Sequence, residues 1–232
     1  MKLKISIWPF TYMIALSIMV IYIGSCRSRT LSGWIIMTQV PASAPEPDYQ
    51  RGYPWRYYPG SRIVALKPDM PLNTGLILTE SFYSACSPAL SYDGSLLSFT
   101  GKKEISDPWQ IWLLELEDLS IRQVTAGLEN CIDPVYLPSG QIVFSRSTSE
   151  NSLPPYYFLY SCKPDGSELK QISFHPHSDL ATSIILDGRL LTVSRQLSPQ
   201  EDEQKYLVLR PDGTNAELFY EPGKGKYLWG KG

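Results

Sequence analysis

The chain has 232 residues, 43% of them hydrophobic, 19% charged and 12% aromatic, the balance of a folded protein rather than a disordered one. Its formal net charge is −2, from 21 Lys and Arg against 23 Asp and Glu. No basic footprint of the kind a phosphate backbone requires is present, so nucleic acid is not an expected partner.

Met1-Lys2-Leu3-Lys4 supplies a positive start, and residues 5–23 form an almost uncharged apolar run interrupted by Pro9. The run ends in Ile23-Gly24-Ser25-Cys26, an aliphatic residue, two small residues and a cysteine, which resembles a bacterial lipobox. On that reading residues 1–25 are a lipoprotein signal peptide, Cys26 carries the lipid, and residues 26–30 are a tether. An uncleaved membrane helix and an ordinary signal peptide cut nearby stay open as readings, since the run is near bilayer-spanning length. All three export the rest of the chain. No aspartate follows Cys26, and no acidic cluster follows either. By analogy with lipoproteins, the expectation is an outer-membrane anchor facing the periplasm. The expected partners are the membrane, through the lipid, and an envelope protein.

Residues 31–40 read as a strand centred on Trp34-Ile35-Ile36-Met37. Residues 41–60 are dense in proline and aromatics, which favours a looped path because proline cannot donate to a strand ladder. Trp55, Tyr57 and Tyr58 in this insertion are candidate binding residues. Packing over a surface is the plainer role for its rings. Strands over 62–67 and 75–79 follow, so residues 31–80 hold three strands and lack a fourth.

Residues 87–98, Ser-Pro-Ala-Leu-Ser-Tyr-Asp-Gly-Ser-Leu-Leu-Ser, read as a hairpin, because Asp93-Gly94 supplies the positive φ of a tight turn between two apolar runs. The hairpin recurs around Ser139-Gly140 and Asp187-Gly188. A second turn recurs at Pro68-Asp69, Glu117-Asp118, Pro164-Asp165-Gly166 and Pro211-Asp212-Gly213. Two landmarks keep one period, so residues 84–126, 131–173 and 180–220 each read as a four-stranded unit. Units of this size and strand content are the signature of β-propeller blades. The expected fold is all-β: about three full blades plus a partial N-terminal blade that lacks its inner strand. Residues 221–232, rich in Gly and Lys, make a poor closing strand and read as a tail or the start of a missing blade. The favoured expectation is a chain truncated from a longer propeller.

Ser87-Pro88, Ser91, Asp93-Gly94, Leu97 and Phe99, with Gln123-Val124-Thr125 closing the unit, resemble the TolB-type propeller repeat. The second copy departs at Pro138-Ser139, and the third lacks the proline at Thr182-Ser183. A narrower resemblance runs through Phe82 to Cys86, Gly101-Lys102-Lys103, Asp107 to Trp112 and Cys131-Ile132-Asp133-Pro134. That set is similar to propeller proteins related to the hydrazine synthase alpha subunit. This resemblance implies fold and lineage. The haem motifs of that enzyme are not found in the sequence.

Cys86 and Cys131 precede Pro88 and Pro134 by two and three residues, so they are candidates for a disulfide in an oxidising compartment; free thiols are an equal alternative. Cys162 reads as a buried small hydrophobe. His175 and His177 with Asp179 are the available metal-type ligands, yet no further ligand is placed by spacing, so neither metal nor cofactor is expected. No Gly-x-Ser-x-Gly elbow occurs, and the Gly225–Lys231 pattern lacks the Ser or Thr of a phosphate loop. No catalytic residues are assigned, and a non-enzymatic role is favoured. The expectation is a membrane-anchored scaffold that binds protein or another ligand through the inner-strand starts Ser87, Asp133 and Ser183 and the aromatic insertion. The alternative is a propeller subunit or remnant of a hydrazine synthase alpha-like redox enzyme whose cofactor segment lies elsewhere.

Overall fold

A computed structural model describes residues 31–42, 57–71, 74–148, 156–174, 177–196 and 204–223. Expectations placed on Cys26, on Trp55 and on His175 lie outside these residues. The described residues form four antiparallel sheets and no helix.

Sheet 1 has three strands in the order β1 (Ile35–Gln39), β2 (Arg62–Leu66) and β3 (Leu76–Ile77). Sheet 2 runs β4 (Ser84–Leu90), β5 (Leu96–Lys102), β6 (Gln110–Glu115) and β7 (Ile121–Gln123). Sheet 3 runs β8 (Cys131–Tyr136), β9 (Ile142–Ser147), β10 (Tyr157–Cys162) and β11 (Lys170–Gln171). Sheet 4 runs β12 (His177–Ile184), β13 (Leu190–Gln196), β14 (Gln204–Leu209) and β15 (Glu217–Tyr220). Each strand pairs with the next in sequence. The repeating four-stranded units expected from the two turn landmarks are therefore present.

Each sheet is apolar on faces it cannot bury alone, and three cores fill the spaces between successive sheets. Ile63, Ala65 and Leu78 of sheet 1 pack with Leu97, Phe99, Trp112 and Leu114 of sheet 2. Ile111 and Leu113 pack with Tyr136, Ile142, Phe144 and Cys162 of sheet 3. Val143, Leu159 and Ile172 pack with Leu190 and Leu209 of sheet 4. Burial of this kind stabilises by about 25 cal/mol per Å² of apolar surface, so neighbour packing holds the stack together.

Two hydrogen-bond devices set the equivalences between sheets. The hydroxyl that ends an outer strand accepts an N–H from the third strand: Ile63 donates to Thr79 Oγ1 at 3.0 Å, Ile111 to Thr125 Oγ1 at 2.8 Å, and Leu159 to Ser173 Oγ at 2.9 Å. A second-strand hydroxyl accepts an N–H from the next sheet's first strand: Ser87 donates to Thr38 Oγ1 at 3.2 Å and Asp133 to Thr100 Oγ1 at 3.1 Å. Thr38 is thus equivalent to Thr100, and Ile63 to Ile111. Accordingly β1 corresponds to β5 and β2 to β6, and among the described residues sheet 1 has no strand equivalent to β4, β8 or β12.

Two expectations need correction. The sequence starts the third repeating unit at residue 180 and so leaves His177-Ser178-Asp179 in the connection before it. The structure places residues 177–179 at the start of β12, which begins at His177 rather than near 180. The candidate disulfide between Cys86 and Cys131 is not formed, and the equal alternative of free thiols is what the structure has. Both are buried thiols, and they are not equivalent in register: Cys86 lies opposite Thr100 on β5, whereas Ile132 lies opposite the corresponding Ser145 on β9.

Candidate functional site

Because each sheet alternates strand direction, its connections fall at two ends. The first-to-second-strand turns, residues 91–95, 137–141 and 185–189, share one end with the third-to-fourth connections. The opposite end carries the second-to-third connections, of which residues 103–109 are described throughout, and the entries to each new sheet. Tyr57 and Tyr58 therefore stand at this second end, beside the start of β2.

A cluster of rings and cations occupies this end between sheets 1 and 2. Tyr57 meets Trp109 edge to face at 5.2 Å between centroids. The Lys102 ammonium sits 5.2 Å from the Trp109 centroid and 5.5 Å from that of Tyr83, and donates to the Ile105 carbonyl at 2.8 Å. Lys103, exposed, lies 5.1 Å from the Trp112 ring and 5.9 Å from Phe82. Phe82 packs edge to face on Phe99 and Trp112. Gly101 makes room for it, since a Cβ there would stand 3.0 Å from the Phe82 ring. The Tyr58 carbonyl accepts the Ser84 hydroxyl at 2.8 Å, which ties the insertion to the first residue of β4.

Beyond this cluster, Asn130 Oδ1 accepts the Trp109 N–H at 2.9 Å. Arg146 bonds Glu129 at 3.0 Å and stands 5.4 Å from the Tyr160 ring. The Glu129 carboxyl is held below its ordinary range first by its own backbone N–H and then by Arg146. Half-buried aromatic faces next to ammonium groups can stack on planar or sugar-like ligands and pair with anionic ones.

Of the residues singled out in the sequence, Ser87 and Asp133 come together. The Ser87 hydroxyl donates to Asp133 Oδ1 at 2.9 Å, and both sit in first-strand bulges with φ of 52° and 56°. They are buried between sheets rather than displayed on a binding surface. Ser183 does not join them. The bulge of β12 falls between Leu180 and Ser183, so residues 181 and 182 hold the equivalent positions. His177 and Asp179 share one face of β12, and no group of three metal-type ligands occurs among the described residues. The role of Lys102 and Trp109 at this end could have been suspected from the alternation of Phe82-Tyr83 and Lys102-Lys103 around neighbouring strand ends.

At the turn end, Tyr92, Pro138 and Leu186 each stand two residues before the hairpin glycine of their sheet. With Ile184, Ile185 and Phe219 they line a broad, largely apolar depression of about 690 Å³.

No protein-family model matches the chain. Over 108 residues, 47% of its length, it is 32% identical to hydrazine synthase subunit alpha of Kuenenia stuttgartiensis, and it spans 13% of that protein. The solved hydrazine synthase of Kuenenia stuttgartiensis superposes with a TM-score of 0.71 at 22% identity, covering 84% of this chain and 32% of that one. A putative TolB from Agrobacterium tumefaciens superposes with a TM-score of 0.59 at 18% identity, over 69% of this chain and 57% of that one. The chain therefore resembles TolB and hydrazine synthase, and its architecture is that of propeller-type proteins.

Proposed function

We propose that the chain is a non-enzymatic β-propeller scaffold of the cell envelope, lipid-anchored through Cys26 in the outer membrane and facing the periplasm. Its four sheets are propeller blades, the first lacking its inner strand. It binds an envelope partner through the loop-bearing end, with Tyr57, Tyr83, Lys102 and Trp109 as the contact residues. The observation that carries this reading is the convergence of partly buried rings and a lysine where the residues leading into β2 meet sheet 2. The TolB-like fold is consistent with an envelope location.

The test is in-cell cross-linking followed by detergent extraction and mass analysis. A lipidated product starting at Cys26, with an adduct lost in the Lys102→Ala, Trp109→Ala double variant but kept in Leu186→Ala, supports the scaffold. An adduct indifferent to the double variant, or an unlipidated product, overturns it.

The 32% identity to hydrazine synthase subunit alpha favours a second reading, a propeller part of a redox assembly whose cofactors are held outside these residues. A haem absorption band that copurifies stoichiometrically with the native protein would select it.

A further inference from the structure

The gap between sheets 2 and 3 and the gap between sheets 3 and 4 are built from equivalent positions. Leu113 pairs with Arg122 as Ser161 pairs with Lys170. The Leu96 carbonyl accepts the Ser91 N–H as the Gln141 carbonyl accepts that of Leu137. Tyr136 pairs with Ile142 as Ile184 pairs with Leu190. At the turn end of the first gap, Leu96 and Leu113 of sheet 2 meet Tyr136 of sheet 3 in one apolar core. Arg122 closes that end, donating from Nη1 to the Pro164 carbonyl of sheet 3 at 2.7 Å.

In the second gap the same positions are smaller or more polar. Ser161 stands for Leu113, Gln141 for Leu96, and Ile184 for Tyr136. Lys170 stands for Arg122; it is exposed and makes no ion pair among the described residues. The result is a cavity of about 440 Å³ at the turn end, between sheets 3 and 4. The gap between sheets 1 and 2 has no such opening at these positions, because Trp34 and Leu76 take the places of Gln141 and Lys170 and pack on the core. Protein interiors are close-packed, so an opening in one gap at positions that two neighbouring gaps fill is not forced by the fold. Its size falls within the range of small-ligand pockets.

We propose that this cavity binds a small amphipathic anion, its apolar body between Leu137 and Ile172 and its negative group at Lys170. Leu137 and Ile172 are buried apolar walls, and Ser161 and Gln141 add a hydroxyl and an amide for hydrogen bonding. Asp212 also lines the cavity, but Thr214 occupies its Oδ1 through the N–H at 3.0 Å and the hydroxyl at 2.7 Å, and Arg210 offsets its charge. Lys170 is thus the uncommitted charge of the site, and it selects an anion. The neighbouring apolar depression shares Pro138 and Gly188 with the cavity and leaves room for a longer apolar body. The site lies at the opposite end from Lys102 and Trp109 and does not depend on an anchor at Cys26.

The probes are 2-naphthoate and its neutral amide, 2-naphthamide, titrated by calorimetry into the detergent-solubilised full chain against a matched detergent blank. The expected result is saturable one-to-one binding of naphthoate, about fivefold tighter than that of the amide. Lys170→Met keeps the apolar stem and should make the two probes bind equally. Ser161→Leu with Ile184→Tyr restores the residues that fill the gap between sheets 2 and 3. That pair should weaken both probes at least about tenfold while the melting temperature stays at or above the parent's. Three results would overturn the proposal: no saturable binding, an unchanged preference for the acid in Lys170→Met, or unchanged affinity in a folded filling pair, which would put the probe in the outer depression. Should the filling pair melt below the parent, the Lys170→Met comparison decides alone.

Discussion

Ser87 and Asp133, 46 residues apart, are joined by a hydrogen bond from the Ser87 hydroxyl to Asp133 Oδ1 at 2.9 Å. Each occupies the bulge of its sheet's first strand with positive φ, and each sends its N–H back to a threonine of the preceding sheet. The pair is a rivet between sheets 2 and 3. Aspartate tolerates the left-handed region and satisfies the serine, so Asp133→Ala removes both advantages at a buried site. A loss of about 2–3 kcal/mol is expected for Asp133→Ala and about 1 kcal/mol for Asp133→Asn. Thermal melts of the two variants check this order, and equal melting temperatures would remove the rivet from the account.

The three outer-strand hydroxyls form a second set. Thr79, Thr125 and Ser173 each accept one buried third-strand N–H. Replacing any one with a residue that cannot accept strands that donor, at about 1–3 kcal/mol. Thr125→Val and Ser173→Ala should therefore destabilise by similar amounts in urea titration. Thr125→Ser should stay close to the parent.

These devices explain what was legible in the sequence. Asp93-Gly94 and Pro164-Asp165-Gly166 announce themselves because turn chemistry is local, and the period between copies follows from them. The three strands described within residues 31–80 were also readable, since that stretch holds three apolar runs. The start of β12 was not, because His177-Ser178-Asp179 forms a strand through tertiary pairing with Ser194, Arg195 and Gln196 and shows no apolar alternation. Nor was the role of Ser183, because the bulge between Leu180 and Ser183 shifts the register without a proline to mark it. The Tyr57–Trp109 contact depends on how two connections meet in space, which spacing along the chain does not encode.

Glycines separate into those that turn the chain and those that also let sheets touch. Gly94 and Gly213 both have positive φ, 69° and 85°. A Cβ at Gly94 would meet nothing within 4 Å, whereas one at Gly213 would collide with the Ile172 carbonyl of the preceding sheet. Gly166 repeats the arrangement, with a Cβ position 2.6 Å from the Val124 carbonyl oxygen. Gly94→Ala should cost about 1 kcal/mol for its φ alone. Gly213→Ala should cost at least about 3 kcal/mol, because sheet 4 must pull away from sheet 3. Denaturant midpoints for the two variants decide it, and parity would mean that this contact is not tight in solution.

The buried thiols should be inert in the folded protein. Burial pushes Cys131 up to about 11 and Cys162 up to about 12, and Cys86 is wholly buried. The thiolate is the reactive form, so alkylation at pH 8 should leave all three unmodified until denaturant is added. Peptide mapping after brief iodoacetamide treatment reads this directly. Labelling of Cys131 in native conditions would show that sheets 2 and 3 open readily.

The pH dependence of stability should be set by Asp179 on one side and the turn aspartates on the other. Asp179 is buried where sheets 3 and 4 meet, and loss of water pushes its carboxyl up to about 7, with hydrogen bonds from Ser173 and Ser194 opposing the shift. Its value in the unfolded chain is near 3.8, so between about pH 4 and 7 the folded protein keeps a proton that the unfolded chain has released. Stability from this group is therefore full at low pH, falls as pH rises through that window, and levels off above about 7. Asp93, Asp118, Asp165, Asp187 and Asp212 act in the opposite sense. Hydrogen bonds within their turns lower them, so their contribution is lost as pH falls below about 4. These groups are solvent-exposed and their share is small. A melting-temperature maximum near pH 4–5 is expected, with a decline of several degrees toward pH 7. Asp179→Asn should flatten that decline while leaving the acid limb in place. A profile equally steep in the variant would assign the slope to another group and remove Asp179 from the linkage.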